Sequence, residues 1–121
     1  MVFMAGHGDF NLSGSIKSKM HERGIATDSY ENISFYVALI DGGVIENSSP
    51  DEVINYTGSF RDKRSIFTLT SGCQNVGATS VINIEGTDYS KHITGLNIVV
   101  YDMKMKTVID QVCINGEALG R

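Results

Sequence analysis

The chain has 121 residues, 41% of them hydrophobic and 20% charged, a size and balance suited to one globular domain around one core. A net charge of -4 argues against nucleic acid and anionic membrane as partners and leaves uncharged or weakly charged ones. No apolar run approaches the roughly 20 residues that span a bilayer, and the opening MVFMAGHGDF has neither the basic leader nor the apolar length of a signal peptide, so neither a membrane segment nor an export signal is expected in this chain.

The first five residues, MVFMA, read as a short strand, and GHGDFN after them as a turn. Leu12, Ile16 and Met20 then recur at i, i+4 and i+8, the single apolar stripe of a helix over LSGSIKSKMHERG. Asn11 or Ser13 can cap its start and Gly24 ends it. Lys17, Lys19, Glu22 and Arg23 fall outside the stripe, and His21 faces solvent. NISFYVALIDGGVIENS reads as strand, Asp-Gly-Gly turn and strand, with Ile33 to Ile40 long enough for a central strand buried on both faces. Pro50, the single proline, marks a turn before a short edge segment. RDKRS, residues 61–65, is a charged connector.

Beyond the connector the pattern is nearly all β: IFTLTSG, ATSVINIEG, TDYS, GLNIVVYD and KTVIDQVCI. Glu85-Gly86 and Met103 to Lys106 supply turns, so consecutive strands are expected to pair antiparallel. In SVINIE the alternation is ambiguous, because Ser80 shares a row with Ile82 and Ile84. Cys73 and Cys113 lack any metal-ligand or C-x-x-C spacing and are read as free buried thiols. One bridge stays open should their strands meet.

Residues 66–115, IFTLTSGCQNVGATSVINIEGTDYSKHITGLNIVVYDMKMKTVIDQVCIN, resemble the first half of the interleukin-like EMT inducer domain, also called PANDER-like. The likeness lies in the F-x-x-x-S-G-x-x-N opening, the short hairpin with Tyr89-Ser90, the strand GLNIVVYD and the strand VIDQVC. Residues 1–44, within a first segment 1–60, are similar to the second half of that family. The halves stand in swapped order, as in a circular permutation joined near RDKRS. Cutting a domain elsewhere is tolerable where its termini lie close at the surface. The resemblance implies a fold of the α+β class, mainly β: a two-layer antiparallel β-sandwich with one or two flanking helices. Asn115 stands where the family has an aspartate, Thr94 where it has an arginine, and GEALGR is too short for the helix that follows there.

His7 and Asp9 in GHGD follow a strand, the kind of loop that can present a catalytic base on a rigid support. A base needs an orienting acceptor and a nucleophile or water in reach, and spacing supplies neither. A glycine-rich turn with exposed polar tips is the simpler reading. Together with His21 and His92 these residues share no metal-ligand spacing, and no cofactor is implied. Asp102 and Asp110 flank a turn, where carboxylates usually cap rather than pair for glycosidase chemistry. Ser13 and Ser71 lack a nucleophile elbow, and Cys73 lacks a nearby histidine. The Asn-x-Ser/Thr triplets at Asn11, Asn32, Asn47 and Asn55 read as ordinary polar composition.

Binding is the more economical use of these parts. A sugar is held by planar hydrogen-bonding groups beside an aromatic ring on preformed loops, and His7, Asp9, Asn75, Tyr89, Asn97 and Asn115 are the candidates. Each has a structural alternative: turn residues at Asn75 and Asn115, a satisfied core amide at Asn97, a packing ring at Tyr89. The expectation is a non-catalytic module for a glycan or a protein surface. The alternatives are a subunit that joins a second copy or a larger assembly, such as a phage particle, and a small hydrolase using His7 and Asp9.

Overall fold

The computed structural model describes residues 1–60, 65–116 and 118–120, the last three in backbone alone. In chain order its elements are β1 (Val2–His7), α1 (Gly14–Glu22), β2 (Ser34–Ile40), β3 (Gly43–Ser49), β4 (Ile54–Ser59), β5 (Ile66–Gly72), a short 3₁₀ turn (Gln74–Val76), β6 (Thr79–Ile84), β7 (Thr87–Asp88), β8 (Gly95–Asp102), β9 (Thr107–Asn115) and β10 (Ala118–Gly120). Among the described residues the fold is mainly β with one α-helix, as the alternation of apolar residues predicts. Connector residues 61–64 lie outside the described residues.

The helix forms two residues later than the stripe suggests. Ser13, in extended conformation, accepts the Ile16 amide on its hydroxyl and so caps the first turn. Leu12 therefore precedes the helix, where it bridges Gly116 and stays buried. At the other end the Ile25 and Gly24 amides return to the Met20 and His21 carbonyls, and Gly24 takes the positive φ of 90° that this closure needs. Asp41-Gly42 and Glu85-Gly86 both place two successive residues at positive φ, the geometry of tight two-residue hairpins.

Strand β1 is the hub. One edge pairs antiparallel with β8 from Val2↔Val100 to His7↔Gly95, and the other pairs antiparallel with β2 from Val2↔Leu39 to Ala5↔Tyr36. Adding β3 beyond β2, and β9 and β10 beyond β8, makes one antiparallel sheet. Strands β4, β5, β6 and β7 make a second. To the expected antiparallel sandwich the structure adds one parallel bridge, His7↔Gly72, which joins β1 to β5 and makes the sheet continuous and mixed. Beyond Ala5, β2 diverges from β1, and β5 takes its place along that edge.

Two buried serines fill the fork. The Ser71 hydroxyl donates to the Gly6 carbonyl and accepts the Phe35 amide at 2.8 Å. Ser34 donates to Glu52 O at 2.6 Å and accepts the Cys73 amide at 3.0 Å. A hydroxyl can give and accept at once, so each serine closes a gap that a broken ladder would leave unpaired.

Between the sheets, alternate residues meet in one core: Phe3, Ala5, Tyr36, Ala38, Val99 and Tyr101 from the first, Leu69, Phe67, Ile82 and Ile84 from the second. Phe3, Phe60 and Phe67 are at most 1% exposed, each burial worth about 1.5–3 kcal/mol. The far face of the first sheet carries a second cluster, with Met4, Phe35, Val37 and Leu96 under Met20 of α1, Ile25 and Tyr30. Strand β2 thus packs on both faces, which is why it reads as a continuous apolar run. The outer face of the second sheet is polar, with Thr57 and Thr68 hydroxyls 3.0 Å apart across β4 and β5. Ser80 keeps its place in the inward row because that row ends at a polar rim. GEALGR, expected only to be too short for a helix, supplies β10.

Candidate functional site

One end of the sandwich gathers the candidate residues. Strands β1, β5 and β9 finish there, while β2, β6 and β8 begin there. The loops between them are anchored at short range: Gly8 N donates to Gly72 O at 3.1 Å, and Ser13 N to Gly116 O at 3.2 Å. Loops set on a rigid sheet lose little freedom when a ligand arrives.

Asp9 and Asn115, from opposite ends of the chain, line one cavity of ≈ 270 Å³ with Phe10, Asn11 and Glu31. Asn11 organises it. Its side-chain amide donates to Glu31 Oε1 at 2.8 Å, and its backbone amide approaches Asn115 Oδ1 at 3.5 Å. Asp9 Oδ1 accepts the Asn32 amide at 2.8 Å, which holds residue 32 at a positive φ of 50°. Asn32 Oδ1 is buried with no partner among the described residues. Phe10 forms the floor at 3% exposure, too deep to stack its face on a ligand. The walls offer carboxylate and amide oxygens together with the Asn115 amide, a set suited to hydroxyl groups. Glu31 carried no motif in the sequence, and Asn11 was read there as a helix cap or an Asn-x-Ser/Thr triplet; only chain closure brings Glu31 and Asn115 beside Asp9 and Asn11.

A second polar group lies next to it along the rim. His7 Nδ1 is 2.8 Å from Ser80 Oγ, and Ser80 Oγ is 2.6 Å from Ser90 Oγ. His92 Nε2 pairs with Asp88 Oδ2 at 2.8 Å, and the two imidazoles meet edge to face with centroids 6.4 Å apart. Asp88 Oδ1 also accepts the Ile82 and Ser90 amides, each at 3.0 Å. Burial first, and the neighbouring His92 second, hold the His7 imidazole below the usual histidine range. Ser80 is fully buried and Ser90 is 8% exposed, so this chain of hydroxyls ties β1, β6 and the loop before β8 together rather than presenting a nucleophile. A serine-histidine contact built from residues 73 positions apart leaves no local signal in the sequence. Neither does the Asp88–His92 pair, because i and i+4 meet predictably only on a helix and these residues end a strand and enter a loop.

The remaining candidates divide. Asn75 sits exposed on the 3₁₀ turn of the same rim. Asn97 points inward, 1% exposed; its Nδ2 donates to Ile93 O at 3.0 Å, and its Oδ1 has no partner among the described residues. Tyr89 packs its ring against the inter-sheet core, while its carbonyl accepts Gln111 Nε2 at 2.9 Å. His7 and Asp9 are engaged with different partners, Ser80 and Asn32, and so do not form a mutual dyad. Asp102 caps its turn by accepting the Lys104 and Met105 amides at 2.9 and 3.1 Å. Both cysteines are free and buried, and burial pushes the Cys113 thiol up. Among the described residues no cluster of three His, Cys, Asp or Glu side chains could hold a metal ion, and no helix is long and apolar enough to cross a membrane. Comparison with known protein families, with curated proteins and with solved structures finds no match to this chain.

Proposed function

We propose that the protein is a non-catalytic binding module that takes a small, hydroxyl-rich ligand, one glycan unit, in the cavity between Asp9 and Asn115. The observation that carries this reading is the convergence of Asp9, Asn11, Glu31 and Asn115 on one concavity of ≈ 270 Å³. Carboxylate and amide groups in a fixed array discriminate hydroxyl positions, while a cavity just below the usual 300 Å³ of ligand pockets suits a single ring. Such a site binds weakly, with Kd near ~1 mM, equivalent to about 4 kcal/mol. The resemblance to the interleukin-like EMT inducer domain in permuted order belongs to the same proposal. Its support is the placement of β1 between β2 and β8, which seats the first part of the chain beside the last.

A glycan array, followed by saturation-transfer NMR on the sugars it retains, tests the reading. Asn115→Ala and Glu31→Gln should each weaken the same sugars at least about fivefold, the loss of one hydrogen bond to a charged or planar group. Asn75→Ala, on the rim but outside the cavity, should leave them unchanged. Equal losses in all three variants, or no sugar bound at ~10 mM, would end the proposal.

An assembly subunit is a second reading, favoured by one feature: among the described strands β3 pairs only with β2, which leaves its outer edge without a strand partner. Light scattering across rising concentration decides it. A constant monomer mass rejects self-association through that edge.

A further inference from the structure

Helix α1 covers only part of the outer face of the first sheet, and the uncovered margin is a groove. Met4 of β1, Ile114 of β9, the helix residues Ile16, Lys19 and Met20, and Arg23 at the helix C-cap line a cavity of ≈ 260 Å³ there. Residues 16, 19, 20 and 23 follow the i, i+3, i+4, i+7 spacing that places them on one helix face. Met4 and Met20, at 6% and 5% exposure, form an apolar floor, and their unbranched thioethers adapt to the shape of what lies on them. Lys19 and Arg23 are exposed. Their aliphatic stems can extend the apolar wall while the charged ends stand at its mouth.

We infer that this groove binds an anionic amphiphile, an alkyl carboxylate whose tail lies over Met4, Ile16, Met20 and Ile114 and whose head group sits between Lys19 and Arg23. The charge pattern selects the head. In a chain of net charge -4, two cations one helical turn apart at the lip of an apolar cavity favour an anion over a neutral or cationic group. The helix C-terminus, with roughly half a negative charge, works against an anion. But Met20 O and His21 O are taken by the amides of Arg23, Gly24 and Ile25 at 2.9–3.1 Å, and the two side-chain cations exceed that half charge. A larger cavity of ≈ 430 Å³ adjoins across Arg23, but its lining holds no lysine and no second arginine. The head therefore stays on the Lys19 side and the tail points toward Ile114. This site is separate from the Asp9–Asn115 cavity, and its test does not depend on glycan binding.

Methionine-methyl NMR of the whole chain reads the groove directly. Decanoate, added below its micelle concentration, should shift the Met4 and Met20 methyls saturably and leave Met105, 71% exposed on a distant turn, unmoved. Decanol and decyltrimethylammonium should bind at least about tenfold more weakly, since a charge-assisted hydrogen bond is lost. The Lys19→Gln/Arg23→Gln variant should lose about the same factor for decanoate alone, with its fold intact because both side chains are exposed. Equal binding of decanol, shifts spread to Met105, or no saturable shift at Met4 and Met20 would overturn the inference. So would concentration-dependent shifts of Met4 and Met20 without ligand, which would make the groove an interface between copies.

Discussion

Replacing Ser71 with alanine tests the physical account of the fork. The hydroxyl is fully buried and serves two backbone groups, the Gly6 carbonyl and the Phe35 amide. Alanine fills nearly the same volume, so cavity formation adds little, and the cost is that of two buried polar groups left without partners. Each such group costs about 1–3 kcal/mol, and partial closure of β2 onto β1 would recover some of it, so the loss should be about 2–4 kcal/mol. A domain of this length has roughly 5–15 kcal/mol of stability to lose. In urea, with m of about 1–3 kcal/mol/M, the midpoint should fall by about 1–2 M. Ser48→Ala, exposed on β3, should stay within about 0.5 kcal/mol. If Ser71→Ala costs no more than Ser48→Ala, the two sheets are not joined through this hydroxyl, and the account of the fork fails.

Gly95 sits at a φ of 139°, and a Cβ there would come within 2.6 Å of Cys113 Sγ and 2.7 Å of Ile114 O. Gly95→Ala should therefore cost well over the ~1 kcal/mol of backbone strain alone. Gly42→Ala, at a φ of 79° with open space around it, should show only that strain, and equal melting temperatures for the two variants would contradict the packing. The lowered His7 pKa carries a pH signature. The unfolded chain takes up the proton as pH falls through 6.5, while the folded chain resists it, so stability held above that value declines below it and levels off once folded His7 is also protonated. Urea midpoints of the wild type and His7→Gln between about pH 7.5 and 5 should differ in this decline; parallel curves would show that His7 is not the group responsible. Cys73 at 0% and Cys113 at 4% exposure should react with a thiol reagent only after unfolding. Rapid reaction of either thiol in the native protein would contradict their burial.

The candidate site shows where sequence reading stops. Asp9, Asn75 and Asn115 were legible as polar tips because they follow or end apolar strands, and loops at strand ends are where binding groups stand. That Asp9 and Asn115 share a cavity while Asn75 lies apart depends on how the loops close. Asn97 and Tyr89 were ambiguous for a definite reason: a strand residue faces ligand or core according to register, and register is a property of the pair. Ser80 and Ser90 look like any surface serines until β6 and the loop before β8 are laid beside His7.

The amino-acid sequence by itself determined the local elements. The Ser13 cap and Gly24 stop bound α1, the Asp41-Gly42 and Glu85-Gly86 turns bend two hairpins, and the long apolar run of β2 marks a strand covered on both faces. These follow from backbone preferences and side-chain period, which act over a few residues. Only the tertiary structure decided that the first strand lies between β2 and β8, that Ser34 and Ser71 bridge a fork between sheets, and that Asn11 and Glu31 join Asp9 and Asn115. Each of these joins residues far apart in the chain. Their pairing is selected by the burial of both faces of the first sheet and by the need to satisfy every buried amide and carbonyl, conditions that no short stretch of sequence contains.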